Sequence, residues 1–239
     1  NAEEAVYEEK KMEEMEVCFL MDRFGYMKLI DKNAYERNKE AVHNENKYVF
    51  NCMNTDKICI FTDTGKMHTI KAVDIPLGRF RDKGTPVDNL SNYDSSQERM
   101  LYVAPVGQLR SDRLLFVTKT SMCKLVEGAE FDVAKRTIAS TKLADEDELI
   151  FIGSASEMEQ IVLQSHGGCF LRFLTQEVST MKKTALGVRG MKLADDDYLE
   201  HAYLLAGHQE YTISYHDKEY ALNKVRLAKR DTKGIKPRI

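Results

Sequence analysis

The stretch Ile58-Cys-Ile-Phe-Thr-Asp-Thr-Gly65-Lys-Met-His68 contains the unit from which most of the chain is built. An apolar run of β-branched and aromatic residues leads into an Asp-Thr-Gly turn, and a second run leaves it. Residues of these types favour extended strands, and glycine adopts the positive φ that a tight hairpin turn requires. The stretch therefore predicts a β-hairpin with its turn at Gly65.

The same pattern occurs four more times along the chain. The five turns are centred on residues 25, 65, 121, 168 and 218, which are 40, 56, 47 and 50 residues apart. A period of this size is typical of propeller-like arrays, in which each repeat forms one small sheet that packs against its neighbours. The other four hairpin cores are residues 17–28, 114–124, 161–172 and 211–222.

A second motif repeats with the same period. Lys142-Leu-Ala-Asp-Glu-Asp-Glu-Leu149 recurs 50 residues later as Lys192-Leu-Ala-Asp-Asp-Asp-Tyr-Leu199. Acidic clusters can bind Ca²⁺, but an EF-hand loop needs a glycine at its sixth position and a bidentate glutamate at its twelfth. Neither copy has that pattern, so we interpret both as solvated turns between repeats.

The organisation predicted from these repeats is one all-β domain of about five four-stranded sheets. The chain has 13 Gly, four Pro and no Ser/Gly-rich linker, which favours one domain over two. The sequence leaves open whether the disc is closed, with the strand near Val17 completing the fifth sheet, or open. We expect an acidic, flexible lead-in over 1–16 and a domain over 17–239, with repeats near 17–55, 56–110, 111–157, 158–207 and 208–239.

The net charge of −3 conceals an uneven distribution. Residues 1–17 contain seven Glu and two Lys, whereas residues 223–239 contain seven Lys or Arg and one Asp. An acidic start and a basic end indicate an interaction surface that the average hides. Because the chain begins with Asn1 rather than Met, we also expect it to be a piece of a longer protein.

Basic loops follow four of the five turns at a nearly constant distance. Gly84 ends one such loop 19 residues after Gly65, and Gly187 lies 19 residues after Gly168. Loops in register lie on one edge of a disc, where Lys and Arg can neutralise successive phosphates and glycine lets the backbone approach them. We expect phosphate contacts from Arg79, Arg81, Lys83, Lys135, Arg136, Lys182, Lys183, Arg189, Lys229, Arg230 and Lys233. The alternative is that these are ordinary solvated turn residues.

Other kinds of site have little support in the sequence. It contains no nucleophile elbow, HExxH motif or P-loop, and its five Cys form no CxxC pair, so we expect reduced, buried cysteines and no metal. Aromatic residues within the strands, including Phe61, Phe116 and Tyr211, are expected in the core rather than stacked on bases. No apolar run approaches the ~18–20 residues that span a bilayer and no signal peptide opens the chain, so we expect no membrane partner.

Taken together, these motifs resemble the C-terminal domain of the A subunit of bacterial type IIA DNA topoisomerases, the family of DNA gyrase and topoisomerase IV. The resemblance covers roughly residues 17–239. The stretches that carry it are Phe24-Gly-Tyr-Met-Lys28, Thr62-Asp-Thr-Gly-Lys66, Val133-Ala-Lys-Arg136, the acidic motif beginning at Lys142, Gly187-Val-Arg-Gly-Met-Lys-Leu193 and Lys229-Arg-Asp-Thr-Lys-Gly234.

This resemblance implies a β-pinwheel, a propeller-like disc in which neighbouring four-stranded blades exchange strands, with a basic rim that binds and bends duplex DNA. It implies no catalysis and no cofactor in this fragment, because ATP and Mg²⁺ belong to the holoenzyme, an ATP-dependent isomerase. The implied partners are duplex DNA, the ATPase B subunit and the remainder of the A subunit. The implied location is the cytoplasm, in association with the chromosome, and the isolated domain is expected to be a monomer.

One family motif is missing from its expected place. The gyrase box, a Gln-Arg-Arg-Gly-Gly-Lys-Gly-like heptapeptide, belongs in the first repeat, where this chain reads Tyr35-Glu-Arg-Asn-Lys-Glu-Ala-Val42. A degenerate match lies in the last repeat, at Lys229, Arg230, Asp231, Thr232, Lys233 and Gly234. Because the box lets gyrase wrap DNA chirally, its loss favours a topoisomerase IV-like subunit, which relaxes and decatenates DNA, over gyrase.

Two functions from other classes remain open. The first is a propeller-like scaffold that binds proteins and not DNA, using the acidic lead-in or an apolar patch. Basic loops gathered along one edge favour DNA, whereas basic loops scattered over both faces favour the scaffold. The second is an enzyme in its own right, but no convergent group of nucleophilic residues supports it.

Overall fold

The computed structural model describes residues 13–239, which form five antiparallel sheets joined by short helices and turns. Of the lead-in expected over 1–16, residues 1–12 lie outside the described part, and Glu16 already begins a strand. The chain divides into two compact units, the first containing Asn1–Lys57 and Lys71–Leu90, and the second containing Ile58–Ile70 and Ser91–Ile239.

The strands and helices are short. The strands are β1 (Glu16–Met21), β2 (Tyr26–Ile30), β3 (Tyr48–Met53), β4 (Lys57–Thr62), β5 (Lys66–Lys71), β6 (Thr85–Pro86), β7 (Met100–Pro105), β8 (Arg113–Thr118), β9 (Met122–Glu127), β10 (Thr137–Ala139), β11 (Leu149–Ser154), β12 (Gln160–Ser165), β13 (Phe170–Leu174), β14 (Val188–Arg189), β15 (Leu199–Leu205), β16 (Thr212–Tyr215) and β17 (Lys218–Ala221). The α-helices are α1 (Lys32–Arg37), α2 (Lys39–Glu45), α3 (Val87–Leu90) and α4 (Val106–Leu109).

The first unit contains one four-stranded sheet, in the order β3-β1-β2-β6. The predicted hairpin forms here, and its turn residue Gly25 has a φ of 83°. Phe19 is fully buried and stacks on Phe50 with ring centroids 4.6 Å apart. Because both edges of β1 are hydrogen-bonded, to β2 and β3, the strand near Val17 is not the one that completes the fifth sheet.

The second unit contains the other four sheets. Two have the predicted four strands, in the orders β10-β5-β4-β7 and β11-β8-β9-β14. The next sheet, β13-β12-β15, has three strands, and an isolated bridge between Phe170 and Ile235 adds one more segment at its edge. The last is the two-stranded hairpin β16-β17. The fold is therefore the predicted all-β pinwheel type, with smaller sheets in the last two repeats than we expected.

The hairpin turns share one backbone conformation even where their residues differ. Gly65 and Gly168 have φ values of 79° and 89°. Ser121 has a φ of 74° at the equivalent turn, and Asp217 has a φ of 61° in the last hairpin. These values lie in the left-handed region, which side chains other than that of glycine adopt less readily.

Strands are exchanged between successive repeats, as the family resemblance implied. β6 from the second repeat pairs with β2 of the first, and β10 from the third repeat pairs with β5 of the second. β14 from the fourth repeat pairs with β9 of the third. Each exchanged strand has only two or three residues and directly follows a basic loop, so strand exchange fixes where that loop lies.

Aromatic side chains fill the core of the second unit. Phe61 contacts Phe116 and Phe131 in edge-to-face arrangements, with ring centroids 6.2 Å and 4.9 Å apart. All three rings are buried, as predicted for Phe61 and Phe116. Tyr211 differs from its prediction, because it lies just before β16 and its side chain is exposed.

Candidate nucleic-acid interface

The structure places the predicted phosphate-contacting residues in the loops and exchanged strands between sheets. Arg79, Arg81 and Lys83 belong to the first unit, and the other eight belong to the second. Lys183 and Arg230 are half-buried, whereas the remaining nine are exposed.

The basic loop of the first unit is held by contacts beneath it. The Asp82 carboxylate accepts a hydrogen bond from the Arg79 backbone N–H at 2.8 Å. The Lys28 ammonium donates to the carbonyl groups of Phe80 and Asp82, the latter at 2.7 Å. The Lys83 ammonium lies 5.0 Å from the centre of the Tyr26 ring, within cation–π range. These contacts fix the loop backbone and leave the two arginine side chains exposed.

In the second unit, backbone hydrogen bonds join the basic loops of successive repeats. The Lys142 N–H donates to the Lys183 carbonyl at 3.2 Å. The Lys192 N–H donates to the Thr232 carbonyl at 2.8 Å, and the Asp231 N–H donates to the Gly190 carbonyl at 2.6 Å. We call the three joined segments, residues 135–142, 182–192 and 229–234, the basic edge of the second unit.

Two of the predicted arginines already make contacts with protein groups in or next to the basic edge. Arg189 forms a two-pronged ion pair with Asp231, with N···O distances of 2.5 Å and 3.3 Å. This pairing raises the pKa of Arg189 and lowers the pKa of Asp231. Arg230 donates to the carbonyl groups of Glu177 at 3.0 Å and Arg189 at 2.7 Å. Both side chains therefore connect segments of the edge, and only part of their hydrogen-bonding capacity faces solvent.

The loop glycines allow a close approach of one backbone segment to another. Gly84, Gly187 and Gly234 have φ values of 86°, 105° and 73°. A Cβ atom at any of them would lie 2.6 Å from a backbone carbonyl oxygen of the preceding sheet. In the structure, glycine lets each loop close onto the sheet before it. The expected approach of a phosphate to these glycines stays a prediction.

Helices occupy the place where the gyrase box is expected. Asp31 caps α1, because its carboxylate accepts the Ala34 N–H at 2.7 Å, and α2 follows directly. A side-chain cap of this kind favours a helix start over a loop. The first repeat therefore has no basic loop at this place. The degenerate match in the last repeat, 229–234, does lie in the basic edge.

Four buried or half-buried polar residues beneath the loops were missed by sequence reasoning. Lys28 and Lys124 each lie three residues after a hairpin turn, and their equal spacing within apolar strands was the available signal. Lys124 is 2% exposed. His68 occupies the equivalent position after Gly65 and contacts Glu98. Nothing in the local pattern distinguishes Glu98 from a surface glutamate.

The His68–Glu98 contact is the centre of a buried polar network. His68 Nε2 lies 3.0 Å from both carboxylate oxygens of Glu98, and its Nδ1 lies 2.9 Å from the Thr137 hydroxyl. The Thr62 hydroxyl also donates to Glu98, at 2.9 Å. Burial acts to raise the pKa of Glu98, but the hydrogen bonds from His68, Asp94 and Thr62 together lower it.

The repeated acidic motif closes hairpin turns. The Asp147 carboxylate accepts hydrogen bonds from the Thr120 N–H at 3.1 Å and the Thr120 hydroxyl at 2.6 Å. Asp197 accepts the Gly167 N–H at 2.8 Å in the next repeat. Within residues 13–239, no group of three or more His, Cys, Asp or Glu side chains could hold a metal ion.

The cysteines and the helices carry no further candidate site. All five cysteines are free, and four are buried, whereas Cys169 is half-buried. Burial raises the pKa of the Cys123 thiol to about 12. Over the described part of the chain, no helix has the length and apolar character needed to cross a membrane.

Comparison with known proteins connects this arrangement to a family. The sequence profile described as "DNA gyrase C-terminal domain, beta-propeller" matches residues 56–95, 112–156 and 159–206, which together exceed half of the chain. The chain belongs to the DNA gyrase C-terminal domain family. This membership confirms the resemblance to the C-terminal domain of a type IIA topoisomerase A subunit.

Curated relatives in the gyrase family are much longer than this chain. The DNA gyrase A subunit of Ureaplasma parvum serovar 3 is 25% identical over 236 residues, covering 92% of this chain and 28% of the relative. The DNA gyrase A subunit of Salmonella typhimurium is 31% identical over 144 residues, covering 59% of this chain and 16% of the relative. The aligned part of this chain thus spans less than a third of the length of either relative.

Solved structures of gyrase-family C-terminal domains share the fold. The C-terminal domain of DNA topoisomerase IV matches with a TM-score of 0.82 and 22% identity, over 94% of this chain and 73% of that one. The DNA gyrase A C-terminal domain matches with a TM-score of 0.61 and 18% identity, over 92% of this chain and 76% of that one. At these identities the likeness establishes the pinwheel fold alone.

Proposed function

We propose that this chain binds duplex DNA through its basic loops, without strong sequence preference, as the accessory C-terminal domain of a type IIA topoisomerase A subunit. The observation that carries the proposal is the basic edge of the second unit. Its three segments contain ten Lys or Arg and one Asp, and backbone hydrogen bonds join them. This arrangement supports DNA binding over a protein-binding scaffold.

The basic edge suits phosphate better than it suits base edges. Lys182, Lys229 and Lys233 are exposed and extend from loops rather than from a helix or ribbon that could enter the major groove. Lysine contacts to phosphates position a duplex without reading its sequence. They also release condensed counterions, so the affinity of such a site falls steeply with salt.

Arginine supplies a second kind of contact. In the first unit, Arg79 and Arg81 are exposed at the end of a loop whose backbone is already fixed by Asp82 and Lys28. Guanidinium groups match phosphate oxygens with two parallel hydrogen bonds. We therefore include this loop among the proposed DNA contacts.

The activity of the whole protein is part of the same proposal. We assign the parent to the A subunit of an ATP-dependent topoisomerase that acts with an ATPase B subunit on the chromosome, in the cytoplasm. ATP and Mg²⁺ would serve that holoenzyme and not this domain. With α1 and α2 in place of the gyrase box, we favour relaxation and decatenation over supercoiling.

A salt titration tests the DNA-binding proposal. Binding to a duplex of about 40 base pairs is measured by fluorescence anisotropy between about 50 and 200 mM salt. The variant Lys182→Gln/Lys229→Gln/Lys233→Gln should bind all sequences more weakly and lower the log–log salt slope by about 2–3. The control Lys32→Gln/Lys39→Gln/Lys218→Gln loses the same charge from exposed positions outside the basic loops.

The two variants together separate the possible results. A loss confined to the first variant supports the basic edge as the binding surface. Equal losses in both variants contradict a defined edge, and no salt-dependent binding by the parent chain contradicts DNA binding and leaves the scaffold.

A ligation experiment tests the preference between the two enzymes. A nicked circle is closed by ligase with and without the domain, and the change in linking number is measured. Binding without a signed change supports the topoisomerase IV-like assignment. A reproducible change of one sign contradicts it and supports gyrase-like wrapping despite the missing box.

A further inference from the structure

The Lys124 ammonium lies at the centre of a group of backbone carbonyls. Lys124 is in β9, and its Nζ donates to the carbonyl oxygens of Lys183 at 2.8 Å and Ala185 at 2.6 Å. The Lys182 carbonyl lies 3.5 Å from the same atom. Three carbonyls from a four-residue segment of the basic edge therefore converge on one charged nitrogen.

This arrangement is chemically unusual for a lysine. Lysine rarely lies fully buried, and removing an ammonium from water is unfavourable unless hydrogen bonds replace its hydration. Here the carbonyls take up its donors, the Phe116 ring lies 5.6 Å away, and Glu130 adds an electrostatic attraction. Burial lowers the pKa of Lys124 to about 8. An apolar side chain would fill this position without that penalty, so the charge needs a reason.

The same arrangement occurs in the first unit. Lys28 lies three residues after its turn, and its Nζ donates to the carbonyls of Phe80 and Asp82. In both places the bound carbonyls belong to the loop that carries the proposed phosphate contacts. A lysine repeated in this role, once in each unit, indicates a function of the loop rather than an accident of packing.

We propose, building on the DNA-binding function above, that Lys124 is a positioning residue for DNA binding. It fixes the backbone of residues 182–185 so that the exposed Lys182 side chain, and the part of the Lys183 ammonium that does not donate to Glu130, are presented to the phosphates in one arrangement. Lys124 itself is buried and touches no DNA. Its effect on binding passes entirely through the loop that it holds.

Within this loop the Ala185 N–H donates to the Lys182 carbonyl at 3.0 Å, and the remaining hydrogen bonds lie at its start or lead to neighbouring segments. The Met181 N–H donates to the Leu125 carbonyl at 2.7 Å, just before the segment begins. The Lys183 N–H and ammonium contact the side chain and carbonyl of Glu130 at 3.3 Å and 3.2 Å, and the Lys183 carbonyl accepts the Lys142 N–H. Lys124 reaches from β9 into the middle of the segment, so its loss should loosen residues 182–185 more than residue 181.

A double-mutant cycle tests this proposal. The variants are Lys124→Met, which keeps the length of the side chain without its charge, Lys182→Gln/Lys183→Gln, and the combination of the three changes. Affinity for duplex DNA and its salt slope are measured for each. Lys124→Met alone should lower the slope by about 1–2, and it should have no further effect when Lys182 and Lys183 are already neutral.

The matched control is Lys28→Met, which removes the equivalent lysine of the first unit. Its effect should add to that of Lys182→Gln/Lys183→Gln, because Lys28 holds a different loop. Hydrogen exchange gives a second measurement, in which the amides of residues 182–187 should exchange faster in Lys124→Met and not in Lys28→Met. If Lys124→Met does not fold, Lys124→Gln replaces it, since glutamine is neutral and keeps an amide donor.

The outcomes distinguish this proposal from the one on which it rests. No salt-dependent binding by the parent chain overturns both proposals. Binding by the parent chain with additive effects of Lys124→Met and Lys182→Gln/Lys183→Gln overturns only the positioning role. Unchanged affinity and unchanged exchange of the loop amides in Lys124→Met also overturn it and leave DNA binding intact.

Discussion

The second and third repeats of this pinwheel place different buried polar residues at the same position. Lys124 and His68 occupy the same position, three residues after the hairpin turn and beside an incoming exchanged strand. Lys124 binds backbone carbonyls of the loop that precedes that strand, whereas His68 binds the side chains of Glu98 and Thr137. The repeat therefore requires a buried hydrogen-bonding residue here, but not one particular chemistry.

The residue opposite each position also differs. Beside Lys124, Gly187 directly precedes the incoming strand, and a Cβ there would lie 2.6 Å from the Cys123 carbonyl oxygen. Beside His68 the strand begins at Thr137, whose hydroxyl contacts the imidazole. A lysine that binds backbone thus accompanies a glycine, and a histidine that binds side chains accompanies a threonine.

The largest effect on stability is expected from breaking the buried His68–Glu98 contact. Glu98→Ala leaves His68 buried without its main partner, and loss of one member of a buried pair lowers the free energy of unfolding by about 3–5 kcal/mol. The measurement is equilibrium unfolding in urea. The control is Glu200→Ala, which breaks the exposed His166–Glu200 pair, joined at 2.6 Å, and should change stability by less than about 1 kcal/mol. Similar losses in both variants would contradict the buried network.

Replacing Lys124 by methionine is expected to change how the stability of the protein depends on pH. Burial lowers the pKa of Lys124 from 10.5 to about 8. Below pH 8 the folded and unfolded chains both carry the proton, so the full penalty for burying the charge is present. Between pH 8 and 10.5 only the unfolded chain keeps it, so the parent gains stability relative to Lys124→Met as pH rises, by up to about 3 kcal/mol.

Urea unfolding of both proteins at several pH values measures this difference. Cysteines and tyrosines that titrate in the same range contribute equally to both proteins and cancel. Lys66→Met removes an exposed lysine and controls for the loss of one charge. A difference between parent and Lys124→Met that stays flat from pH 7 to 10.5 would show that the burial of Lys124 has no such effect.

Replacing the residue opposite Lys124 or His68 by alanine tests why glycine occurs at one position and threonine at the other. Gly187→Ala places a Cβ against backbone at a φ of 105°, which we expect to lower stability by about 2 kcal/mol. Thr137→Ala adds no such clash and loses the hydrogen bond to His68, which corresponds to about 1 kcal/mol. Thermal unfolding compares the two variants. A larger loss of stability in Thr137→Ala than in Gly187→Ala would contradict the explanation that position 187 requires glycine to avoid a clash with backbone.

Much of the fold could be predicted because hairpin signals are local. Gly25, Gly65 and Gly168 mark turns through the positive φ that they adopt, and the alternation of apolar residues marks the strands on either side. Serine has no such preference, so the turn at Ser121 was located from the apolar runs on either side of the Thr-Ser pair. Strand exchange is different. β6 and β14 have two residues each, too few to carry a periodic pattern, so only the family resemblance implied them.

The site was predictable in position but not in its supporting contacts. Exposed lysines such as Lys182 and Lys233 could be found because loop length and charge repeat together. Glu98 could not be found, because its burial depends on the irregular segment after α3, which brings it against β4 and β5. Arg189 was predicted as a phosphate contact, but its pairing with Asp231 joins two loops 42 residues apart and no local pattern reveals it.

The smallest expected effect concerns the Arg189–Asp231 pair. This pair lies on the basic edge and does not contact Lys124 or His68. Asp231→Asn removes the one acidic side chain of the edge and frees Arg189, whose pKa is raised by the contact, to meet a phosphate instead. We expect a steeper salt slope, by about 1, with no shift in the thermal unfolding midpoint, because an exposed pair adds little to stability. Asp195→Asn, in the exposed acidic motif, is the control for an equal change in net charge. If both variants steepen the slope equally, the gain reflects net charge, and Arg189 has to be removed from the proposed contacts. If only Asp231→Asn does so, Arg189 can bind a phosphate, and its ion pair with Asp231 limits that binding in the parent chain.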